Sequence, residues 1–182
     1  LGLVVPPLVV GCARVAMAAA AAEFFDHPSR TLTLAGVTGT NGKTTTTFLL
    51  FAVLAAAGLR PGLLGTVEVR VGGERRPAVR TTPEAIDLQA SFRRMLDSGD
   101  RACAMEAASH ALALHRADAI HFEAALFTNR TQDHLDLQAH REDYFPAQPR
   151  PCQMGAAPAL LNVTPPHHPP RAATRDVHHR PP

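Results

Sequence analysis

One stretch constrains the fold of this chain more than any other: Thr38-Gly39-Thr40-Asn41-Gly42-Lys43-Thr44. It follows residues 31–37, which alternate and then turn apolar as a buried strand does, and it precedes a helical pattern over residues 42–57. A glycine-rich turn between a strand and a helix N-terminus aims several backbone N–H groups at one point, a geometry that suits phosphate oxygens. Lys43 is the only lysine, and every other member of the 18 basic residues is arginine. A compact amine at this place suits the β- and γ-phosphates of a nucleotide, and the Thr44 hydroxyl suits Mg²⁺. Thr38, Gly39, Thr40, Asn41, Gly42, Lys43, Thr44 and Thr45 are therefore the candidate ATP contacts. The loop is not a strict G-x-x-x-x-G-K-[ST] match, because Val37 stands where the first glycine belongs and Gly36 lies one residue early.

The rest of the chain extends the same alternation. Residues 13–25 are alanine-rich and stop at Asp26-His27-Pro28-Ser29, as a helix followed by a connector. Gly58 is placed as the C′ residue of the helix after the loop. Residues 63–71 read as one strand, with a hairpin tip at Gly72-Gly73. Thr81-Thr82-Pro83-Glu84 then opens a helix, with Thr82 as N-cap and Pro83 at N1, running to about Asp97 and ending at Ser98-Gly99. Residues 101–107 and 122–128 read as short strands, the first ending on Glu106. The expectation is an α/β fold, a P-loop-type parallel sheet with covering helices.

Composition bounds the partners. The 182 residues are 46% hydrophobic with no Trp and one Tyr, so the core is aliphatic with some Phe, and a net charge of +2 gives no case for nucleic acid or an anionic membrane. Even that excess is local, since Arg150, Arg171, Arg175 and Arg180 face only Asp176 within residues 146–182. Cys12, Cys103 and Cys152 are odd in number, far apart and in no metal-like spacing, which reads as free thiols in a reducing compartment. The apolar opening is broken by Pro6-Pro7 and Arg14 and reads as a strand at residues 3–5 and the alanine-rich helix, not as a membrane segment. From Pro146 the pattern is lost: 10 of the 16 prolines lie in residues 146–182, and a disordered tail is expected there.

At the loop the resemblance becomes specific. Residues 36–46 resemble the ATP loop of the Mur ligases, the cytoplasmic ATP-dependent amide ligases of peptidoglycan synthesis. Leu64-Gly65-Thr66-Val67, Arg80-Thr81-Thr82-Pro83-Glu84, Met105-Glu106-Ala107-Ala108-Ser109-His110-Ala111-Leu112, Phe127-Thr128-Asn129 and Asp133-His134-Leu135-Asp136 follow in that family's order and are most similar to its MurE type. The resemblance covers roughly residues 8–145.

It implies ATP-driven addition of a diamino acid to UDP-N-acetylmuramoyl-L-alanyl-D-glutamate through an acyl phosphate, by a monomer. It implies catalytic roles for Lys43, Glu106 and His134, and Mg²⁺ contacts at Thr44, Glu106 and His134. It also implies nucleotide contact at Asn129, and contacts of Thr81, Thr82, Ser109 and Arg116 with the UDP-MurNAc-dipeptide. Each residue also has a plainer reading: Thr82 as a helix cap, Arg116 as a surface arginine, His134 in a capped turn. A lone carboxylate closing an apolar strand is costly without a partner, which favours the metal reading of Glu106.

Three departures qualify the match. Ala108 stands where the family commonly has a serine. Gln148, flanked by Pro146 and Pro149, stands where the family has a carbamylated helix lysine. The remainder of the central domain and the amino-acid-binding domain have no counterpart. The sequence therefore reads as the end of an N-terminal domain with its linker (residues 1–28), part of a central ATP-binding domain (29–145) and an unrelated tail (146–182). Such a truncated or frameshifted fragment is expected to be inactive alone. The competing readings are a folylpolyglutamate or cyanophycin synthetase type of ligase, and a non-catalytic ATP-binding module.

Overall fold

The computed structural model describes residues 8–129 and 159–161. Helix α1 (Ala13–Phe24) leads through a short 3-10 turn to strand β1 (Thr33–Thr38), and helix α2 (Lys43–Ala56) follows the phosphate loop. Strands β2 (Pro61–Leu64), β3 (Glu68–Val71) and β4 (Glu74–Pro77) come next. Helix α3 (Ala85–Asp97), strand β5 (Ala102–Glu106), the short helix α4 (Ser109–Ala113), and strands β6 (Ala124–Phe127) and β7 (Ala159–Leu161) complete the set.

The sheet runs β4-β3-β2-β5-β1-β6-β7. From β2 to β7 every neighbouring pair is parallel, while β3 and β4 form an antiparallel hairpin at one edge. The parallel core is as expected; the hairpin edge makes the sheet mixed. Its tip at Gly72 and Gly73, both with positive φ, is where the sequence places it. The core is mainly aliphatic with two phenylalanines, built from Leu34, Leu64, Leu88, Phe92, Met95, Met105 and Phe122 among others. Leu88, Phe92 and Met95 recur at helical spacing and seat α3 on the sheet. Buried Ala18, Ala21 and Ala22 let α1 pack closely on α3.

Two expectations are corrected and one segment is added. Residues 63–71 are not one strand: the chain turns at Gly65-Thr66-Val67, and Leu64 pairs back with Val69. Thr82 is not an N-cap: α3 starts at Ala85 with Glu84 in the cap position, because the Thr82 hydroxyl is bonded to the end of β5 instead. Within the stretch expected to be disordered, Ala159–Leu161 is a strand that pairs in parallel with β6, which gives the β6 edge a partner. The rest of that stretch, residues 3–5 and Gln148 lie outside the described residues. Among the described residues no helix is long and apolar enough to cross a membrane.

The topology positions a site. The connection from β1 runs through α2 to β2, and that from β5 runs through α4 to β6, in opposite directions along the sheet. Right-handed crossovers then send the two connections to opposite faces, which opens a crevice beyond the carboxyl ends of β1 and β5.

Candidate nucleotide and metal site

Parallel pairing of β1 with β5 puts Val37 beside Glu106, so the phosphate loop begins where the strand-ending carboxylate lies. Glu106 is 1% exposed. Its Oε2 accepts from Thr44 Oγ1 at 3.2 Å and from Thr66 Oγ1 at 3.0 Å, and its Oε1 accepts from the Thr66 N–H at 2.9 Å. A buried carboxylate needs such compensation, and three donors supply it.

Lys43 opens α2. Its ammonium folds over the loop and donates to the carbonyls of Gly39 and Thr40, each at 2.8 Å. Burial pushes its pKa below the ordinary lysine value, and the negative charge of Glu106 works against that shift. The loop is gripped from β6. Thr128 donates its N–H to the Thr38 carbonyl at 2.9 Å, and its hydroxyl to the Asn41 carbonyl at 2.6 Å. Asn129 pairs with the Asn41 backbone in both directions: Oδ1 accepts from its N–H at 3.0 Å, and Nδ2 donates to its carbonyl at 3.1 Å. The Asn129 carbonyl accepts from the Thr40 N–H at 2.9 Å. Asn129 thus supports the loop from beneath.

The remaining loop residues divide by exposure. Asn41, Gly42 and Thr45 are exposed, Thr44 is half-buried, and Thr38 and Thr40 are buried. Thr38 Oγ1 is buried and has no hydrogen-bond partner among the described residues.

On the other side of Glu106, Thr82 Oγ1 donates to the Glu106 carbonyl at 2.9 Å and accepts from the Ala108 N–H at 3.0 Å. Thr81 Oγ1 lies 3.1 Å from Thr66 Oγ1. Arg116 is not a surface arginine: it is largely buried, donates to the Thr82 carbonyl at 3.3 Å and pairs with Glu84 at 2.8 Å. Ser109, half-buried, begins α4 one residue after Ala108. Thr81, Thr82, Ser109 and Arg116 therefore gather around the end of β5, beside the phosphate loop. His134 lies outside the described residues. The sequence reading assigns no role to Thr66 or Thr128, whose hydroxyls carry bonds that only the fold creates.

The donor set around Glu106 is carboxylate and hydroxyl oxygen, which suits a hard divalent cation. Among the described residues no group of three His, Cys, Asp or Glu could hold a metal by itself. A cation here would draw on Glu106 and Thr44, with its other ligands from phosphate and water.

Comparison with known proteins decides the family. The Mur ligase middle domain matches residues 37–150. The chain belongs to the Mur ligase family. This Mur ligase chain is 49% identical over 143 residues to the UDP-N-acetylmuramoyl-L-alanyl-D-glutamate–2,6-diaminopimelate ligase of Streptomyces coelicolor, covering 79% of this chain and 28% of that protein. It is 46% identical over 141 residues to the ligase of the same name from Geobacter sulfurreducens, covering 78% and 28%. The chain thus spans under a third of the length of these relatives. A solved structure of a ligase of that name superposes with a TM-score of 0.70 at 24% identity, over 86% of this chain and 34% of that one. E. coli FolC in complex with DHPP and ADP gives 0.61 at 19% identity, over 85% and 42%. These two likenesses show a shared fold.

Proposed function

We propose that this Mur ligase chain supplies the ATP- and Mg²⁺-binding part of a MurE-type ligase, which joins a diamino acid to UDP-MurNAc-L-Ala-D-Glu in the cytoplasm. The observation that carries the reading is the meeting of Thr44 and Glu106 at 3.2 Å, at the mouth of a loop that also bears Lys43. The names of the relatives support the choice of substrates.

In this reading the loop's N–H groups and Lys43 would hold the nucleotide's outer phosphates, and Thr44 and Glu106 would hold Mg²⁺. The metal, when bound, neutralises charge that builds on the transferring phosphoryl group. Thr81, Ser109 and Arg116 face the dipeptide, with the buried Thr82 clamping the backbone behind them; the D-glutamyl carboxylate oxygen attacks the γ-phosphorus as the bond to ADP breaks. The incoming amine then attacks the acyl carbon, loses a proton, and inorganic phosphate leaves. Lys43 contributes fixed positive charge and orientation, the main means of catalysis open to a phosphoryl-transfer site.

Calorimetric titration of the chain with ATP, in Mg²⁺ and in EDTA, tests the nucleotide part. Binding should be tighter with Mg²⁺ and should be abolished by Lys43→Ala; a folded chain indifferent to Mg·ATP overturns the reading. Binding of UDP-MurNAc-L-Ala-D-Glu that is weakened by Arg116→Ala supports the MurE assignment. Preference for a folate instead moves the chain to the folylpolyglutamate branch.

A further inference from the structure

Thr66 occupies the turn between β2 and β3, and its part in the site follows from counting protons. Its N–H points at Glu106 Oε1 and its hydroxyl lies within hydrogen-bond distance of both Glu106 Oε2 and Thr81 Oγ1. A hydroxyl has one proton to give, and an ionised carboxylate can only accept. The Thr66 proton therefore goes to Glu106, and Thr81 donates to Thr66. The result is a directed chain, Thr81 to Thr66 to Glu106, that meets the Thr44 hydroxyl at the same carboxylate oxygen.

The turn is shaped for this grip. The Gly65 N–H bonds the Glu68 carbonyl at 3.2 Å, closing the turn. A Cβ at Gly65 would stand 2.8 Å from Glu106 Oε1, so a side chain there would displace the carboxylate. Both donors come from one residue in a closed turn, so little freedom is lost in forming the second bond.

We propose that Thr66 is a positioning residue: by holding both oxygens of Glu106 it sets the plane in which the carboxylate meets a divalent cation beside Thr44. It also ties that carboxylate to Thr81 on the dipeptide side. The proposal rests on the nucleotide and metal reading above.

The test uses the whole chain, titrated calorimetrically with ATP in Mg²⁺ and in EDTA, as wild type, Thr66→Val and Thr66→Ser. Thr66→Val keeps the shape and the N–H but loses the hydroxyl. It should lose about ten-fold of the Mg²⁺-dependent gain in affinity, as removal of one hydrogen bond to a charged group predicts, while affinity in EDTA stays at the wild-type value. Thr66→Ser should retain the gain. A merely structural role would lower affinity in both media alike, which overturns the proposal, as does Thr66→Val binding Mg·ATP like wild type. Should Thr66→Val not fold, Thr66→Ala replaces it with the same expected split. If the wild type itself shows no gain from Mg²⁺, the underlying reading fails rather than the assignment of Thr66 alone.

Discussion

Thr44 and Glu106 lie 62 positions apart in the chain, yet their side chains meet at 3.2 Å. The first turn of α2 and the last residue of β5 thus share one carboxylate oxygen, and the phosphate loop is joined to the opposite side of the crevice.

Glu106→Gln keeps the size of the side chain and one acceptor oxygen but removes the charge. The chain should remain folded, because the Thr66 N–H still has a partner. The Mg²⁺-dependent gain in ATP affinity should fall by at least about ten-fold, in line with the strength of charge-assisted contacts. Calorimetry in Mg²⁺ and EDTA reads the effect, and an unchanged gain would remove Glu106 from the metal site.

Gly39 has φ +132°, and a Cβ there would collide with Thr128 Oγ1 and stand 2.9 Å from the Asn129 carbonyl. Gly39→Ala must therefore either strain the backbone or push β6 off the loop. A loss of roughly 2–4 kcal/mol in urea unfolding is expected, together with loss of nucleotide binding. A variant as stable as wild type would show that the grip from β6 is not tight.

Thr82 is 2% exposed, and its hydroxyl serves two backbone groups on either side of Ala107. Thr82→Val leaves both without that partner at nearly the same volume, at an expected cost of about 1–3 kcal/mol. Thr82→Ser should recover most of it. Equal stability for the Val variant in chemical denaturation would contradict the clamp.

Lys43 titrates below its ordinary value because burial disfavours the charged form. The folded state therefore releases this proton before the unfolded state does, so stability rises with pH between the lowered value and the ordinary lysine value of about 10.4. Relative to Lys43→Met, the wild type should gain stability in that alkaline window and show a flat difference below it. Denaturation of both across alkaline pH checks the sign; a falling difference would refute it. Phosphate oxygens favour the ammonium, so ATP binding within the window should take up protons, readable by titration in buffers of different ionisation enthalpy.

Much of the fold is legible locally. The strand, glycine turn and helix from Thr33 to Ala56 follow from residues that contact their own neighbours in sequence, as do the Gly72-Gly73 hairpin and the Ser98-Gly99 stop. The break within residues 63–71 is hidden because apolar residues flank it on both sides. Gly65-Thr66-Val67 reads as continuing strand until Glu106 is known to fill the space beside it. Thr82 misleads for a related reason: Thr-Pro is a sound helix start, but the hydroxyl gains more from two buried backbone groups at the end of β5. The strand Ala159–Leu161 is three residues long, too short for any period to show, and exists through pairing with β6.

By itself the sequence determined the phosphate loop, the α/β alternation and the family, because each is written in short ordered segments whose chemistry is local. Only the tertiary structure decided which hydroxyls surround Glu106, that Arg116 lies inside, and that Asn129 supports the loop from β6. Those relations depend on parallel pairing between strands far apart in the chain, and a side chain's partners across such a sheet are set by register and crossover direction rather than by its neighbours in sequence.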